Sequence, residues 1–277
     1  MVVHQENTSI IPSPHLVFLK LGGSLITDKQ KPRTPRLETL ARLAKEIAMA
    51  LVQNPGLRLL LGHGAGSFAH VPAKKHGTRQ GVHTPEEWLG FSEVWWEAAT
   101  LNRLVMDALH TAGLPVLALP PSASVVARDG KVLDWNLTPI RMALESGMLP
   151  VIFGDVIFDT IRGGTILSTE DLFAHLARNL LPQRILLAGI EPGVWADYPQ
   201  CTQLVDQITP SDYPDILVSL GGSNATDVTG GMASKVQQSL ELAKEVCGLE
   251  ILIFSGKIDG IVNSALAGHQ VGTLIRA

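Results

Sequence analysis

Two lysines in this sequence stand where a positive charge is costly, and both indicate an anionic ligand. Lys20 lies inside the apolar run Leu16–Leu21, and a lysine in a buried strand is strongly destabilising unless it meets an anion. Lys235 falls in the first turn of a predicted helix, where the helix dipole disfavours a cation that has no negative partner. For Lys20 the alternative is an edge strand from which its ammonium group reaches water.

Glycine-rich turns border the predicted buried segments at four places. In an open α/β sheet, ligands bind at the carboxyl ends of the strands, where such turns can bring backbone N–H groups and helix N-termini close to an anion. One turn of this kind is common, whereas four at one edge indicate a ligand with more than one phosphate. No P-loop of the form G-x-x-x-x-G-K-[ST] occurs, so a different architecture would bind these phosphates. The four turns are Gly22-Gly23, Gly62 to Gly66, Gly154-Asp155, and Gly221-Gly222 with Gly230-Gly231.

A dinucleotide-binding turn is a competing interpretation of the second glycine-rich segment. Residues 64 to 69 fit G-x-G-x-x-G/A, and Glu86 and Glu87 follow at about the distance of a ribose-binding carboxylate. However, that fingerprint belongs after the first strand, the two glutamates lie in a predicted helix, and His70 has no role in such a site. We therefore do not favour a dehydrogenase.

Four histidines near the same segment raise the question of a metal site. His63, His70, His76 and His83 are spaced by six or seven residues, whereas metal-binding pairs on helices lie three or four residues apart. We therefore expect ordinary surface or supporting roles for His63, His76 and His83. His70 is considered separately below.

Alternation of short apolar runs with helical patterns predicts the fold. The runs are continuous rather than alternating, as expected for strands that are covered on both faces. Strand and helix follow each other along the chain, which predicts an α/β, three-layer αβα sandwich with a mainly parallel central sheet. Residues 156–167 break this rhythm and predict a hairpin added to the sheet. The predicted strands are Leu16 to Leu21, Leu57 to Leu61, Pro115 to Leu119, Leu149 to Phe153, Arg184 to Ala188 and Glu250 to Phe254.

Composition and charge exclude several classes of protein. The 277 residues carry a formal charge of −4, with 45% hydrophobic and 17% charged residues and no charge blocks. This balance argues against a disordered chain, a nucleic-acid-coating protein and a polybasic membrane binder. No apolar run is long enough to span a membrane, and Cys201 and Cys247 form no CxxC motif. We expect a cytoplasmic protein with no membrane or nucleic-acid partner.

The order of these motifs resembles the amino acid kinase superfamily and, within it, the isopentenyl phosphate kinases. The resemblance covers about Val17 to Ile275. It implies a single kinase domain over 15–277, with an acceptor lobe at about 15–181 and a nucleotide lobe at about 182–277. The residues before it, 1–14, predict a flexible extension. The matching motifs are Lys20-Leu21-Gly22-Gly23-Ser24 with Asp28-Lys29, His63 to His70, Phe153-Gly154-Asp155-Val156, Asp171, Asp227 to Met232 with Lys235, and Gly272-Thr273.

The resemblance also implies a role for each motif. Lys20 and Lys235 would flank the transferred phosphoryl group, Lys29 would reach the same phosphates, and Asp171 would orient the two main lysines. Mg²⁺ would be bound mainly by the phosphates of ATP, with no dedicated protein ligands. The alternative for Asp171 is an ordinary aspartate of a first helical turn. The implied nucleotide-binding residues are Lys20, Gly22, Gly23, Lys29, Gly193, Asp227, Gly230, Gly231 and Lys235, and the implied substrate-binding residues are Gly64, Ala65, Gly66, His70, Gly154 and Asp155.

His70 decides the subfamily that the chain resembles. In isopentenyl phosphate kinases the matching histidine contacts the phosphate of the acceptor, and a phosphate monoester needs no general base near neutral pH. The resemblance thus implies ATP-dependent phosphorylation of isopentenyl phosphate. A fosfomycin kinase-like enzyme acting on another small phosphate or phosphonate shares this motif, and a non-catalytic protein on the same fold is the alternative from another class. The family also implies a homodimer.

Some positions depart from the family pattern or leave the substrate open. Thr169-Glu170 precedes Asp171 where relatives commonly have Gly-Asp, and residues 188–195 lack the usual Thr-Asp start, which leaves the base preference open. The isoprenoid tail needs an apolar pocket. Candidates for it, each of which could equally be core, are Trp95, Trp96, Leu101, Met106, Ile157, Ile161 and Ile166.

Overall fold

A computed structural model of the protein describes residues 15–214, 216 and 231–277. The extension predicted at 1–14, the glycines 221 and 222, Asp227 and Gly230 lie outside these ranges. In chain order the strands are β1 (Leu16–Leu21), β2 (Arg58–His63), β3 (Val116–Ala118), β4 (Val125–Arg128), β5 (Lys131–Trp135), β6 (Leu149–Phe153), β7 (Asp155–Asp159), β8 (Gly163–Leu167), β9 (Arg184–Gly189), β10 (Val194–Trp195), β11 (Leu204–Val205), β12 (Gln207–Ile208), β13 (Glu250–Ser255) and β14 (Thr273–Ile275). The helices are α1 (Gly23–Ile26), α2 (Leu37–Gln53), α3 (Gly66–His76), α4 (Pro85–Thr111), α5 (Thr138–Glu145), α6 (Thr169–Leu180), α7 (Gly231–Glu245) and α8 (Ile261–Leu266).

The central sheet has eight strands in the order β12-β14-β13-β9-β1-β2-β6-β3. Neighbouring strands pair in parallel throughout, except for the antiparallel pair β13 and β14. All six predicted apolar runs form strands of this sheet. The mainly parallel α/β fold is therefore confirmed.

Each face of the sheet is covered by its own helices, because the buried side chains of a strand alternate between the two faces. On one face, Leu16 and Phe18 of β1 share a hydrophobic core with α5, α6 and α7. On the other face, Val17, Leu19 and Leu21 pack with α2, α4 and α8. These two cores make the three layers that the sequence pattern predicts.

The predicted hairpin forms, but it does not join the central sheet. Strands β7 and β8 pair antiparallel within a separate four-stranded sheet, in the order β5-β4-β7-β8. The prediction of an addition to the main sheet is wrong because β6, which precedes the hairpin, already has β2 and β3 on its two sides. The chain turns at Gly154 and joins the second sheet, in which β7 pairs with the earlier strand β4.

The proposed lobe boundary near Pro182 falls between α6 and β9, and the sheet runs through it without interruption. Strand β1 pairs with β2 on one side and with β9 on the other. The C-terminal ends of β6, β2, β1 and β9 therefore meet at one edge. Within the described ranges, no helix combines the length and the apolar character that a membrane crossing requires.

Candidate active site

A cavity of about 400 Å³ opens at this edge of the sheet. Its walls contain both the predicted lysines and the predicted acceptor-side histidine, which the sequence places up to 215 positions apart. The structure therefore brings the separate motifs into one place. The predicted residues that line the cavity are Lys20, Gly22, Gly23, Lys29, Gly64, Ala65, His70, Gly154, Asp155 and Lys235.

The turns that follow β1 and β2 touch each other through their glycines. A Cβ atom at Gly23 would lie 2.5 Å from the backbone nitrogen of Gly66, and a Cβ at Gly64 would lie 2.9 Å from the nitrogen of Gly23. Gly66 has a φ of +52°, and a side chain there would collide with Thr27. These glycines are required because two backbones pack together without space for a side chain.

Three of the glycines do not present N–H groups to a ligand, contrary to the expectation. Gly22 N–H donates to the carbonyl of Ala188 at 2.8 Å, and Gly64 N–H donates to that of Leu21 at 3.0 Å. Gly154 N–H donates to the carbonyl of His63 at 3.3 Å. These groups bind neighbouring strands instead. Gly23 and Gly66 begin α1 and α3. In the first turn of α3, the Ser67 N–H donates to the Thr27 hydroxyl at 2.9 Å and the Phe68 N–H to the Ala65 carbonyl at 3.2 Å.

Lys20 forms an ion pair with Glu170, and both side chains are largely buried. Gly62 lies opposite Lys20 in the sheet, and a Cβ at Gly62 would collide with Thr169 and Phe173. The bare glycine thus lets α6 approach β2 and places its first turn beside Lys20. Burial alone would raise the pKa of Glu170, but the charges of Lys20 and Lys235 outweigh it and lower the pKa. Glu170 is therefore an ionised carboxylate that both lysines stabilise.

Asp171, the predicted partner of the lysines, contacts Ser168 and Arg79. Its Oδ2 accepts hydrogen bonds from the Ser168 N–H and hydroxyl at 2.8 and 2.7 Å, which completes a capping box at the start of α6. The same oxygen lies 3.2 Å from Arg79 Nη2. The structure thus places Glu170, and not Asp171, against Lys20, and the orienting role of Asp171 stays a prediction. The capping-box pattern Ser168-x-x-Asp171 was the sequence signal that could have distinguished the two acids.

Apolar side chains line part of the cavity near His70, while Lys74, Arg79 and Gln80 add polar and charged groups to its lining. His70 lies on α3, and Ala69 and Ala73 of the same helix line the cavity beside it, with Val94 from α4 and Ile166 from β8. Of the predicted tail-pocket residues, only Ile166 lines this cavity. Trp95, Trp96 and Ile161 are exposed, Leu101 and Ile157 are core residues, and Met106 packs against the core.

Two titratable groups are buried beneath the glycine turns. The ring of His63 lies 3.1 Å from Asn102 Oδ1 and stacks on Phe153 with centroids 5.3 Å apart, and burial lowers its pKa. Asp155 accepts hydrogen bonds from the Ser122 and Val156 N–H groups at 3.0 and 2.9 Å. Burial outweighs these bonds and raises the pKa of Asp155 to about 6.

The remaining predicted nucleotide-binding residues fall outside the cavity or outside the described ranges. Gly193 is buried against Thr273, where a Cβ would lie 2.6 Å from the hydroxyl oxygen. Gly231 begins α7 with a φ of +67°. Asp227 and Gly230 lie outside the described residues.

The dinucleotide interpretation of this segment fails on geometry. Glu86 and Glu87 lie in the first turn of α4, and Glu87 accepts hydrogen bonds from the His83 and Thr84 N–H groups as part of a capping box. They are not at a strand end, so the dinucleotide pattern has no ribose-binding partner. His76 pairs with Glu93 at 2.7 Å. Among the described residues, no group of three or more His, Cys, Asp or Glu side chains could hold a metal ion.

Comparison with known proteins agrees with this architecture. The model of the amino acid kinase family matches residues 15–255. The isopentenyl phosphate kinase of Methanothermobacter thermautotrophicus is 35% identical over 272 residues, covering 94% of this chain and 98% of the relative. That of Haloferax volcanii is 37% identical over 265 residues, with the same coverage.

A solved structure extends the similarity to three dimensions. An X-ray structure of an isopentenyl phosphate kinase superposes with a TM-score of 0.80 at 30% identity, covering 94% of this chain and all of that one. The product complex of the Thermoplasma acidophilum isopentenyl phosphate kinase superposes with a TM-score of 0.74 at 25% identity, again over 94% of this chain. The chain therefore belongs to the amino acid kinase family and, within it, to the isopentenyl phosphate kinases.

Proposed function

We propose that this protein transfers the γ-phosphoryl group of ATP to isopentenyl phosphate and forms isopentenyl diphosphate. One observation carries the proposal: a single cavity joins two lysines to a histidine that is bordered by small apolar side chains. The lysines suit a polyphosphate donor. The apolar wall suits a hydrocarbon tail, and His70 between them suits a phosphate.

The donor side of the cavity is the side of β1, β9 and α7. Lys20 and Lys235 both act electrostatically on the Glu170 carboxylate, which supports a location for them at the same phosphoryl group. We propose that they neutralise its charge as it moves, with Lys29 acting on the same phosphates. Glu170 holds the ammonium group of Lys20 in position, which reduces the reorganisation that the transition state needs.

The acceptor side is the side of β2, α3 and the hairpin. We propose that His70 donates a hydrogen bond to the phosphate of isopentenyl phosphate, and that the N-terminus of α3 adds the positive end of its dipole. The five-carbon tail then lies against Ala69, Ala73, Val94 and Ile166. Lys74 and Arg79 line the same cavity, and we propose that they face the phosphate rather than the tail.

The reaction requires no proton transfer from a carbon or hydroxyl group. An acceptor phosphate is largely a dianion near neutral pH, so one of its oxygens attacks the γ-phosphorus directly. The bond between that phosphorus and the β–γ bridging oxygen breaks, and its electron pair leaves with ADP. The protein contributes alignment and charge neutralisation, which are the main needs of phosphoryl transfer.

We propose that the donor is the magnesium complex of ATP. Mg²⁺ prefers phosphate oxygens and water and needs few protein ligands. The cationic lining by Lys20, Lys29 and Lys235 suits a nucleotide that brings its own metal. We propose that residues 15–181 bind the acceptor and that residues 182–277 bind the nucleotide, with Lys20 of the acceptor half also contacting the nucleotide.

The test is a coupled assay of ADP release over a panel of acceptors: isopentenyl phosphate, dimethylallyl phosphate, fosfomycin, glutamate and N-acetylglutamate. We expect the highest kcat/KM with isopentenyl phosphate, and ³¹P NMR should show a diphosphate product. Higher activity with fosfomycin would favour the phosphonate kinase. No ADP release with any acceptor would favour a non-catalytic protein.

We also propose that the enzyme is a homodimer. Symmetric dimers are the commonest oligomers of soluble proteins. The long helix α4 exposes Leu89, Trp95 and Trp96, which supports an interface in the acceptor half. Light scattering at micromolar concentration should give twice the mass of the 29.7 kDa chain, and the mass of one chain would contradict the proposal.

Finally, we propose the cytoplasm as the place of the reaction. The two cysteines are both free, Cys201 half-buried and Cys247 exposed, which suits a reducing compartment. Cell fractionation with an antibody to the protein should recover it with cytoplasmic markers, and recovery in a membrane or secreted fraction would contradict this location.

A further inference from the structure

Helix α4 contains a buried carboxylate that the proposed mechanism does not use. The side chain of Glu97 is 12% exposed, and within the described part of the chain no group donates a hydrogen bond to its Oε2. Burial raises the pKa of Glu97, and the charge of Arg33 opposes this effect. A buried carboxylate is destabilising unless a cation compensates it, so the position of Arg33 matters.

Arg33 lies in the loop over residues 28–36, which connects α1 to α2. Its Nε is 3.2 Å from Glu97 Oε2, while more than half of the arginine side chain is exposed. The backbone of Arg33 has a φ of +50°, a region that residues other than glycine seldom adopt. The loop therefore accepts an unfavourable backbone conformation at the residue that reaches Glu97.

The same loop carries Lys29 to the cavity and rests on the beginning of α3. Arg33 N–H donates to the Ser67 carbonyl at 3.2 Å, and Thr34 N–H donates to the Ser67 hydroxyl at 3.3 Å. Asp28 N–H donates to the Thr34 carbonyl at 2.9 Å, which closes the loop at its base. The position of Lys29 is thus connected to the turn that precedes His70.

Movement of the loop away from α3 would separate Arg33 from Glu97. Arg33 would then be solvated in water, but Glu97 would stay in α4 as a buried carboxylate facing another acid, Glu93, on the same helix. This difference in burial favours the loop position in contact with α3, because Glu97, unlike Arg33, would lose its opposite charge without gaining water. The ion pair therefore holds the loop against α3, and its strength depends on the negative charge of Glu97.

We propose that Glu97 is a positioning residue for phosphoryl transfer: through Arg33 it holds the 28–36 loop against α3, so that Lys29 reaches the phosphates. This inference rests on the proposed kinase function and adds to it a group that never touches the substrates. Glu97 lies on α4, outside every motif that links the chain to its family.

A double-mutant cycle tests this role. Glu97→Gln keeps the size of the side chain and removes its charge. We expect it to lower kcat by about three- to tenfold, a coupling typical of residues in one network, while the KM for isopentenyl phosphate changes by less than about twofold. In a Lys29→Ala background the same substitution should change kcat by less than about twofold, since the ammonium group that the loop positions is absent. Asp107→Asn, which breaks an exposed ion pair with Arg103 on the same helix, is the matched control and should leave kcat unchanged.

Arg33→Gln provides a second variant in case Glu97→Gln folds poorly, because Arg33 is half-exposed and its removal opens no core. It should reproduce the fall in kcat and the loss of that effect in the Lys29→Ala background. The proposal would be overturned if Glu97→Gln and Arg33→Gln each lowered kcat by the same factor in the wild-type and the Lys29→Ala backgrounds. The ion pair would then have only a structural role. A wild-type enzyme that is inactive with isopentenyl phosphate would instead contradict the proposed function.

Discussion

The carboxylate of Glu170 contacts the ammonium group of Lys20, although the two residues are 150 positions apart in sequence. Lys20 comes from the middle of the sheet and Glu170 from the first turn of α6, directly beside the capping residue Asp171. The contact keeps a buried cation at the C-terminal end of β1. In the proposed function, it would also fix the direction in which that cation meets the donor phosphates.

Glu170→Gln should reduce kcat/KM by about ten- to a hundredfold, since a hydrogen bond to a charged group contributes about 1.5 to 3 kcal/mol. The expected cause is loss of alignment of Lys20. Asp171→Asn is the matched control: it weakens the helix cap, which contributes about 1 kcal/mol to stability, and should lower the melting temperature more than the activity. Steady-state kinetics and thermal unfolding of both variants decide the assignment. A larger loss of activity with Asp171→Asn would return the orienting role to Asp171.

His70→Ala should reduce kcat/KM for isopentenyl phosphate by about tenfold to a few hundredfold, because a donor to a charged phosphate is lost. ATP binding, measured by calorimetry, should change little, since the nucleotide contacts other elements. His70→Gln keeps one N–H donor and should retain more activity than the alanine variant. A value of kcat/KM within about twofold of wild type for His70→Ala would argue against the acceptor role.

Gly23→Ala should reduce kcat/KM by about a hundredfold, the effect expected when reacting groups are displaced by about 1 Å. The added methyl group would lie 2.5 Å from the nitrogen of Gly66, so the donor and acceptor turns must separate. Gly56→Ala is the control, because its methyl group would meet His15 at an ordinary distance of 3.7 Å. Activity of Gly23→Ala equal to that of Gly56→Ala would show that the two turns need not touch.

Asp155 should make the protein less stable as the pH rises. Its pKa is about 6 in the folded state against 3.8 for the unfolded reference, so its favourable contribution is complete below pH 3.8 and is lost as the pH rises through 6. The difference corresponds to about 3 kcal/mol. Urea unfolding of wild type and Asp155→Asn between pH 4 and 7 should show the wild type losing about that much stability relative to the variant. A pH-independent difference would indicate that the carboxyl group is solvated.

Local patterns in the sequence predict much of this molecule, for reasons that act over a few residues. The continuous apolar runs are enough to predict six strands of the central sheet, because burial on both faces leaves no polar alternation. The glycines after β1 and β2 and the lysine inside an apolar run indicate an anion site before any contact is known. The capping box in which Asp171 takes part also has a sequence pattern of four residues, Ser168-x-x-Asp171.

Contacts between distant segments required the tertiary structure. Adjacent residues of a helix point about 100° apart, and only the packing of α6 against Gly62 determines that Glu170 faces Lys20 while Asp171 faces Arg79. The N–H groups of Gly22, Gly64 and Gly154 donate to carbonyl groups of neighbouring strands. Val94 and Ile166 line the cavity because α4 and β8 pack near α3. Sequence alone thus determined which chemical groups are present and which elements carry them. The choice of the groups that face one another depends on side-chain direction and on long-range packing, which no local pattern contains.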